Sequence, residues 1–199
     1  MKTCEYDGPP LTEPRSHPWQ GSALDPAACY HDFTQVPALI RSSLEDFMPH
    51  RHYAAVEEFY GLIEWVNRPQ SALESNDCAF SGPQPSGSAP STQSFECSGR
   101  LMLLYRALEM NTVPARVDWL GTRFHRELAQ LDTTFTSGVI GTTLVPVRYL
   151  ALPEGAQLGQ QLMLSFWAFG DSDADVMHSL DRLFRNLAQA VRAVSARII

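Results

Sequence analysis

Two short segments of the chain carry the side chains that could recognise or transform a ligand. Segments 72–80 and 93–108 both combine carboxylates with amide, hydroxyl or guanidinium groups. A carboxylate can exchange protons, and a guanidinium can bind a carboxylate or an oxyanion through two parallel hydrogen bonds. The candidate site residues are Glu74, Asn76, Asp77, Glu96, Ser98 and Arg100.

The residue spacing in both segments predicts strands that bring these groups together. Side chains on a strand point to alternate faces, and Glu74, Asn76, Glu96 and Arg100 have the same parity within their strands. The run 101–104 is apolar on both faces, which is typical of a strand that is covered on both sides. We therefore expect a core strand with a polar leading end, paired antiparallel with 72–80.

Two functions from different classes fit this polar group. The first is a non-catalytic domain that binds another protein, as an immunity-type or chaperone-like partner does. The second is a small hydrolase or transferase in which Glu96 or Glu74 is the acid or base and Arg100 binds an oxyanion or carboxylate. The same pattern also fits a solvated sheet face, where each cross-strand charge pair contributes about 0.2–1 kcal/mol.

A thiol nucleophile is a further alternative, formed by Cys97 with His125 or His52 as its base. The residues around Cys97 match no local cysteine-protease signature, and a free cysteine on the same face as Phe95 is typical of packing. His50 and His52 are two residues apart and would point apart on a helix. The sequence therefore predicts no catalytic residue by motif, no metal site and no cofactor.

Charge and composition limit the partners that the chain can take. It has 199 residues, of which 44% are hydrophobic and 19% charged, and its formal net charge is −7. This acidic balance argues against nucleic acid and anionic membranes as partners, and it permits a basic protein. Lys2 is the single lysine among the 15 basic residues, a bias that favours a bacterial source with a GC-rich genome.

The N-terminus and the cysteines predict a cytoplasmic protein. The first residues lack the basic-then-apolar layout of a secretory signal, and no run approaches the roughly 20 apolar residues of a membrane span. The four cysteines are scattered without a paired spacing, which fits reduced thiols.

The remaining periodicities predict an α+β fold with the element order α-α-β-β-α-β-β-α. Helical spacing covers 36–48, 52–67, 114–131 and the segment after Asp171, while strand patterns cover 72–80, 93–108, 136–152 and 160–169. Two hairpins would form an antiparallel sheet of about four strands, with helices mainly on one face. Pro146 interrupts its run and predicts an edge strand or two pieces joined by a bulge.

The chain is expected to form a single domain, 36–199, preceded by an irregular arm, 1–35, that is rich in proline and aromatic residues. Trp19, Tyr30 and Phe33 would be costly to leave in water, so the arm should pack on the domain. The Pro/Gly/Ser run 82–92 predicts a flexible loop. The sequence leaves undetermined whether the chain is a monomer or a homodimer, although the apolar face of the last helix favours burial within the monomer.

Overall fold

The computed structural model describes residues 1–6, 15–20, 30–87 and 92–198, and these ranges form an α+β structure with seven strands and four helices. The strands are β1 (Lys2–Glu5), β2 (Arg15–His17), β3 (Leu73–Phe80), β4 (Gln84–Pro85), β5 (Phe95–Tyr105), β6 (Gly138–Tyr149) and β7 (Gln157–Gly170). The helices are α1 (Ile40–Ser43), α2 (Ala54–Val66), α3 (Pro114–Gln130) and α4 (Asp173–Ser195). Short 3₁₀ turns cover Pro37–Leu39, Glu45–His50 and Leu108–Thr112. The predicted α+β class is confirmed.

The strands form one mixed sheet in the order β1-β6-β7-β5-β3, with β2 also beside β6 and β4 also beside β5. The pairings β3–β5, β5–β7 and β6–β7 are antiparallel, as predicted for the two hairpins. Strands β1 and β2, however, run parallel to β6. The prediction of a purely antiparallel sheet of about four strands was therefore wrong in strand number and in strand direction.

The additional strands come from segments that were predicted to be irregular. β1 and β2 belong to the arm, and β4 belongs to the 82–92 run. Such short strands show no measurable alternation, but the unpaired backbone groups of a sheet edge can bind any extended segment. β6 is one continuous strand, and Pro146, which has no N–H to donate, lies between its pairing with β1 and its pairing with β2. Residues 7–14, 21–29, 88–91 and 199 lie outside the described ranges.

The long helices agree with the sequence, and the first helix does not. α2 and α3 begin and end within about two residues of the predicted positions, and α4 begins two residues after Asp171, which are differences typical of helix boundaries. α4 begins as expected, because the Ser172 side chain accepts a hydrogen bond from the backbone N–H of Asp175. The predicted helix 36–48 is divided into two 3₁₀ turns and the short α1, since Leu44 leaves the helical region with φ −92° and ψ 72°.

The main core lies between the helices and one face of the sheet. Its aromatic centre is formed by Phe166 of β7, Phe59 of α2 and Phe184 of α4, with ring centroids 4.6 Å apart for Phe59 and Phe184 and 5.0 Å apart for Phe166 and Phe184. All three side chains are almost completely buried. Within the described ranges, every helix is too short or too polar to cross a lipid bilayer.

On the opposite face of the sheet, described residues of the arm contact the strands. Small apolar clusters such as Met102, Val145 and Met163 are buried on this face. The sheet bends so that β2, which is hydrogen-bonded to one edge, reaches β3 at the other edge. Side-chain contacts join them, with Arg15 2.8 Å from Asp77, and with His17 3.1 Å from both Glu74 and Asn76. The contacts between β2 and β3 position the candidate site. The predicted domain boundary at residue 35 stays a prediction.

Candidate functional site

A β-bulge in β3 gathers the predicted acidic and amide residues on the face that the arm covers. The register with β5 passes from Ser75 to Asp77 and leaves Asn76 as the extra residue. Strict alternation would place Asp77 and Glu74 on opposite faces, and the bulge turns them to the same face. Glu74, Asn76 and Asp77 therefore all meet the arm.

Asp77 is shared by two arginines. Its Oδ2 atom lies 2.8 Å from Nη1 of Arg15 and 3.1 Å from Nε of Arg100. The three side chains are partly exposed, with 35% exposure for Arg100 and 21% for Asp77. Two guanidinium groups thus share one carboxylate oxygen, so this side-chain group carries an excess of positive charge.

Glu74 is buried and paired with a histidine of the arm. Its Oε1 atom lies 3.1 Å from Nε2 of His17, and the other ring nitrogen lies 3.1 Å from Oδ1 of Asn76. The Asn76 amide donates to Oε1 of Gln161 at 2.9 Å, which leaves Oδ1 as the acceptor for the histidine. Because both ring nitrogens face oxygen acceptors, this geometry holds His17 as an imidazolium that donates twice.

The protonation of His17 reflects opposing influences. Burial lowers its pKa, but the hydrogen bonds to Glu74 and Asn76 and the charges of Glu74 and Asp32 outweigh burial. The pKa of His17 is therefore raised above its ordinary value of 6.5. The contact between His17 and Glu74 therefore favours the charged form of the histidine.

We expect the free energy of unfolding to fall as the pH rises through the raised pKa of His17. The folded chain binds this proton more tightly than the unfolded chain, whose value is near 6.5. The stabilisation is thus fully present below that value and is lost above the higher folded-state pKa. Urea unfolding between about pH 5.5 and pH 8.5 measures the change.

A His17→Leu variant is the control for this pH profile. The pKa of His50 is lowered by burial and by His52, so His50 contributes an opposite trend that is common to both proteins. The difference between the wild-type and variant profiles isolates His17. Parallel profiles across the whole window would show that His17 is not protonated preferentially in the folded state.

Glu96 and Ser98 lie elsewhere on β5. Glu96 is buried, and its Oε2 atom accepts a hydrogen bond from Ser86 at 3.1 Å. The Ser98 hydroxyl lies 3.1 Å from the hydroxyl of Ser81. These two residues connect β5 to the segment that follows β3, and they are separated from the group around Asp77.

A cleft of about 330 Å³ opens between the arm and the β3–β5 pair. Three of the six predicted site residues line it, namely Asn76, Asp77 and Arg100. The arm contributes Arg15 and an aromatic wall, which consists of Trp19, Tyr30 and Phe33. The aromatic character of these residues predicts that they pack on the domain. Nothing in the sequence indicates that Arg15 and His17 belong to the site, because no local pattern reveals which strand a three-residue segment will join.

The geometry offers no support for a thiol nucleophile at Cys97. Its Sγ atom is completely buried and lies 3.8 Å from Sδ of Met177. Burial, with the charges of Asp173 and Glu96, raises the pKa of this thiol to about 12. His125 is held by the Thr3 hydroxyl at 3.0 Å. In the part of the chain that the structure describes, no group of His, Cys, Asp or Glu side chains could hold a metal ion.

A second cleft of about 740 Å³ lies between α3 and the β1–β6 edge. Its charged lining comes from Glu5, Asp118, His125 and Arg126, and none of the predicted site residues reaches it. These charges have mixed signs, and Glu5, Asp118 and Arg126 are exposed to solvent. The cleft beside Asp77 is therefore the better candidate, because its charged groups are fixed by ion pairs.

Comparison of the chain with protein-family models, with curated proteins and with solved structures found no match. The candidate functional site is the cleft between the arm and the β3–β5 pair, which we call the arm cleft.

Proposed function

We propose that this chain is a non-catalytic binding protein that holds another protein through the arm cleft. The observation that carries the proposal is that, among the described residues, the candidate carboxylates Asp77, Glu74 and Glu96 already have partners while Arg100 keeps donors free. Within the described residues, Asp77 is paired with two arginines and Glu74 with His17, whereas the Nη groups of Arg100 make no hydrogen bond. Such a site is suited to holding a group rather than to moving its protons.

The arrangement gives less support to a hydrolase or transferase. That alternative needs Glu96 or Glu74 within hydrogen-bond reach of a group bound by Arg100. Glu74 is buried beneath His17, Glu96 is buried beside Ser86, and neither lines the arm cleft. Among the described residues that line the cleft, Asp77 is thus the one carboxylate beside a group bound by Arg100, and it is already ion-paired.

The charge of the whole chain indicates what kind of protein the partner is. With a formal net charge of −7, the chain attracts a basic partner over long range, which raises the association rate more than the final affinity. Immunity proteins and holding chaperones are the classes of binder that fit an acidic domain without catalytic groups. We expect the association rate to fall about tenfold or more between low and physiological ionic strength.

Capture from a lysate of the producing organism tests this function, with Arg100→Gln as the cleft variant and Arg185→Gln as its matched control. Both variants remove one positive charge, but Arg185 lies on α4 and pairs with Glu58 and Asp181. The wild type and the Arg185 variant should retain the same stoichiometric partner. The purified partner should bind the Arg100 variant about 10- to 100-fold more weakly, because hydrogen bonds to a charged group are lost.

A second cleft variant, Trp19→Ala, keeps the proposal testable if Arg100→Gln fails to fold. Circular dichroism and thermal unfolding establish that each variant is folded. The proposal fails if no stoichiometric partner is captured, or if the partner binds both cleft variants as tightly as the wild type. An Arg100→Gln variant that unfolds would make this arginine a structural partner of Asp77, and the decision would then rest on Trp19→Ala.

A further inference from the structure

We infer that the arm cleft recognises the C-terminal residue of the partner protein, by binding its carboxylate between Arg15 and Arg100 and its apolar side chain against the aromatic wall. This inference rests on the proposed function and names the chemical group that the cleft takes. It follows from the charge, the donors and the walls of the cleft.

The charge of the cleft suits a single negative charge. Two guanidinium groups share one oxygen of Asp77, at 2.8 and 3.1 Å, so one positive charge is left uncompensated among them. The nearby Glu74 is neutralised by His17. Asp32 does not line the cleft, although its charge reaches Tyr30. Among the described lining residues, the two guanidinium groups exceed the one carboxylate by a single charge, which favours a monoanion over a phosphate dianion.

The free donors of the cleft match a carboxylate. Arg100 uses its Nε atom for Asp77, and within the described ranges its Nη groups have no hydrogen-bond partner, so they can direct two parallel N–H bonds at an incoming carboxylate. Tyr30 adds a phenol to the same wall. Burial, with the charges of Asp32 and Glu74, raises the pKa of Tyr30, so the phenol keeps its proton and can donate. The site thus offers donors and has its own carboxylate already bound.

The aromatic side chains that line the cleft favour a ligand with an apolar group beside its carboxylate. Trp19, Tyr30 and Phe33 line a space of about 330 Å³, at the small end of ligand pockets. A C-terminal residue carries a carboxylate and a side chain on the same carbon, so it can reach the arginines and the aromatic wall together. An internal acidic residue would have to bring the chain into the cleft from both sides.

Binding of synthetic peptides tests the inference. The probe is the hexapeptide Gly-Ser-Gly-Ser-Gly-Phe with a free C-terminal carboxylate, and its matched control is the same peptide with a C-terminal amide. Titration calorimetry should show the acid binding at least about tenfold more tightly than the amide, because only the acid makes charge-assisted hydrogen bonds. Replacing the terminal phenylalanine by serine should also weaken binding.

Variants of the full chain locate the binding. Arg100→Gln should weaken binding of the acid about 10- to 100-fold and leave the amide unchanged, while Arg185→Gln should change neither. Equal affinities of the acid and the amide would overturn the inference, and so would equal binding by the Arg100 and Arg185 variants. Free phenylalanine binding as tightly as the hexapeptide acid would also overturn it, because the ligand would then be a small amino acid.

The outcome for the peptide is separable from the outcome for the proposed function. If the captured partner depends on Arg100 while the peptide acid does not bind, the cleft is a protein-binding site that recognises some other group. If the peptide acid binds and no protein partner is captured, the recognition chemistry stands and the proposed function fails.

Discussion

Replacing His17 by leucine is expected to destabilise the fold by about 3–5 kcal/mol, because a buried carboxylate would lose its cation. The side chains of His17 and Glu74 are only 6% and 11% exposed, and they are 3.1 Å apart. Leucine fills similar space but donates no hydrogen bond, so Glu74 and Asn76 each lose a partner. Urea unfolding near pH 6, where His17 is protonated, measures the loss.

The double variant His17→Leu/Glu74→Met distinguishes this mechanism from a simple packing defect. Removing both charges abolishes the unpaired carboxylate, and buried ion pairs replaced by apolar side chains are often close to neutral in stability. We therefore expect the double variant to be more stable than His17→Leu alone. If the losses in the free energy of unfolding from His17→Leu and from Glu74→Met simply add in the double variant, packing and not charge explains the effect. His178→Leu, an exposed histidine on α4, should change stability by less than about 0.5 kcal/mol.

Replacing Phe166 by alanine is expected to cost about 3–5 kcal/mol through the cavity that it leaves. Phe166 is completely buried between the helices and the sheet, where its ring meets those of Phe59 and Phe184. Its cross-strand neighbour is Gly99, and a Cβ at that glycine would come within 2.4 Å of the Phe166 ring. The core has little capacity to collapse into the vacated space, because the rings are contributed by three different elements.

Leu158→Ala is the matched control for this core substitution. Leu158 lies on the same strand, β7, but is 77% exposed, so its truncation should change the free energy of unfolding by less than about 0.5 kcal/mol. A small loss for Phe166→Ala, comparable to that of Leu158→Ala, would contradict the buried position of this ring. Urea unfolding of the two variants under identical conditions provides the comparison.

These two substitutions also differ in what they should do to the arm cleft. His17 follows Ser16, which lines the cleft, and its contact with Glu74 holds β2 against β3. Loss of the His17 side chain should therefore weaken partner binding and also lower the stability of the fold. Phe166 contacts the helix-facing core and lies on the other side of the sheet. Under conditions where both variants are fully folded, only the His17 variant is expected to bind the partner less tightly.

Much of the fold could be predicted because the long elements repeat their own pattern. α3 and α4 place an apolar residue every three or four positions, and β5 alternates before it enters the apolar run 101–104. Local spacing of this kind is read directly from the chain. The two antiparallel hairpins also follow from the chain order, because strands that are neighbours in sequence usually pair.

The candidate site was predictable only in part. Arg100 and Asp77 could be predicted as site residues because they are charged and lie on predicted strands, and both line the arm cleft. The bulge at Asn76 that turns Asp77 towards the arm has no signature in single-sequence alternation. Glu74 looked equally accessible in the sequence, and it is buried because His17, 57 residues earlier in the chain, lies over it.

The sequence by itself determined the fold class, the long helices and the central strands, since those depend on periodicity and on caps within a few residues of each other. The tertiary structure alone decided that parts of the N-terminal arm are strands of the sheet. It also decided that an arginine and a histidine from that arm pair with the carboxylates of β3. Those pairings depend on how far the sheet bends between its edges, and this bend results from the packing of all its strands and helices together.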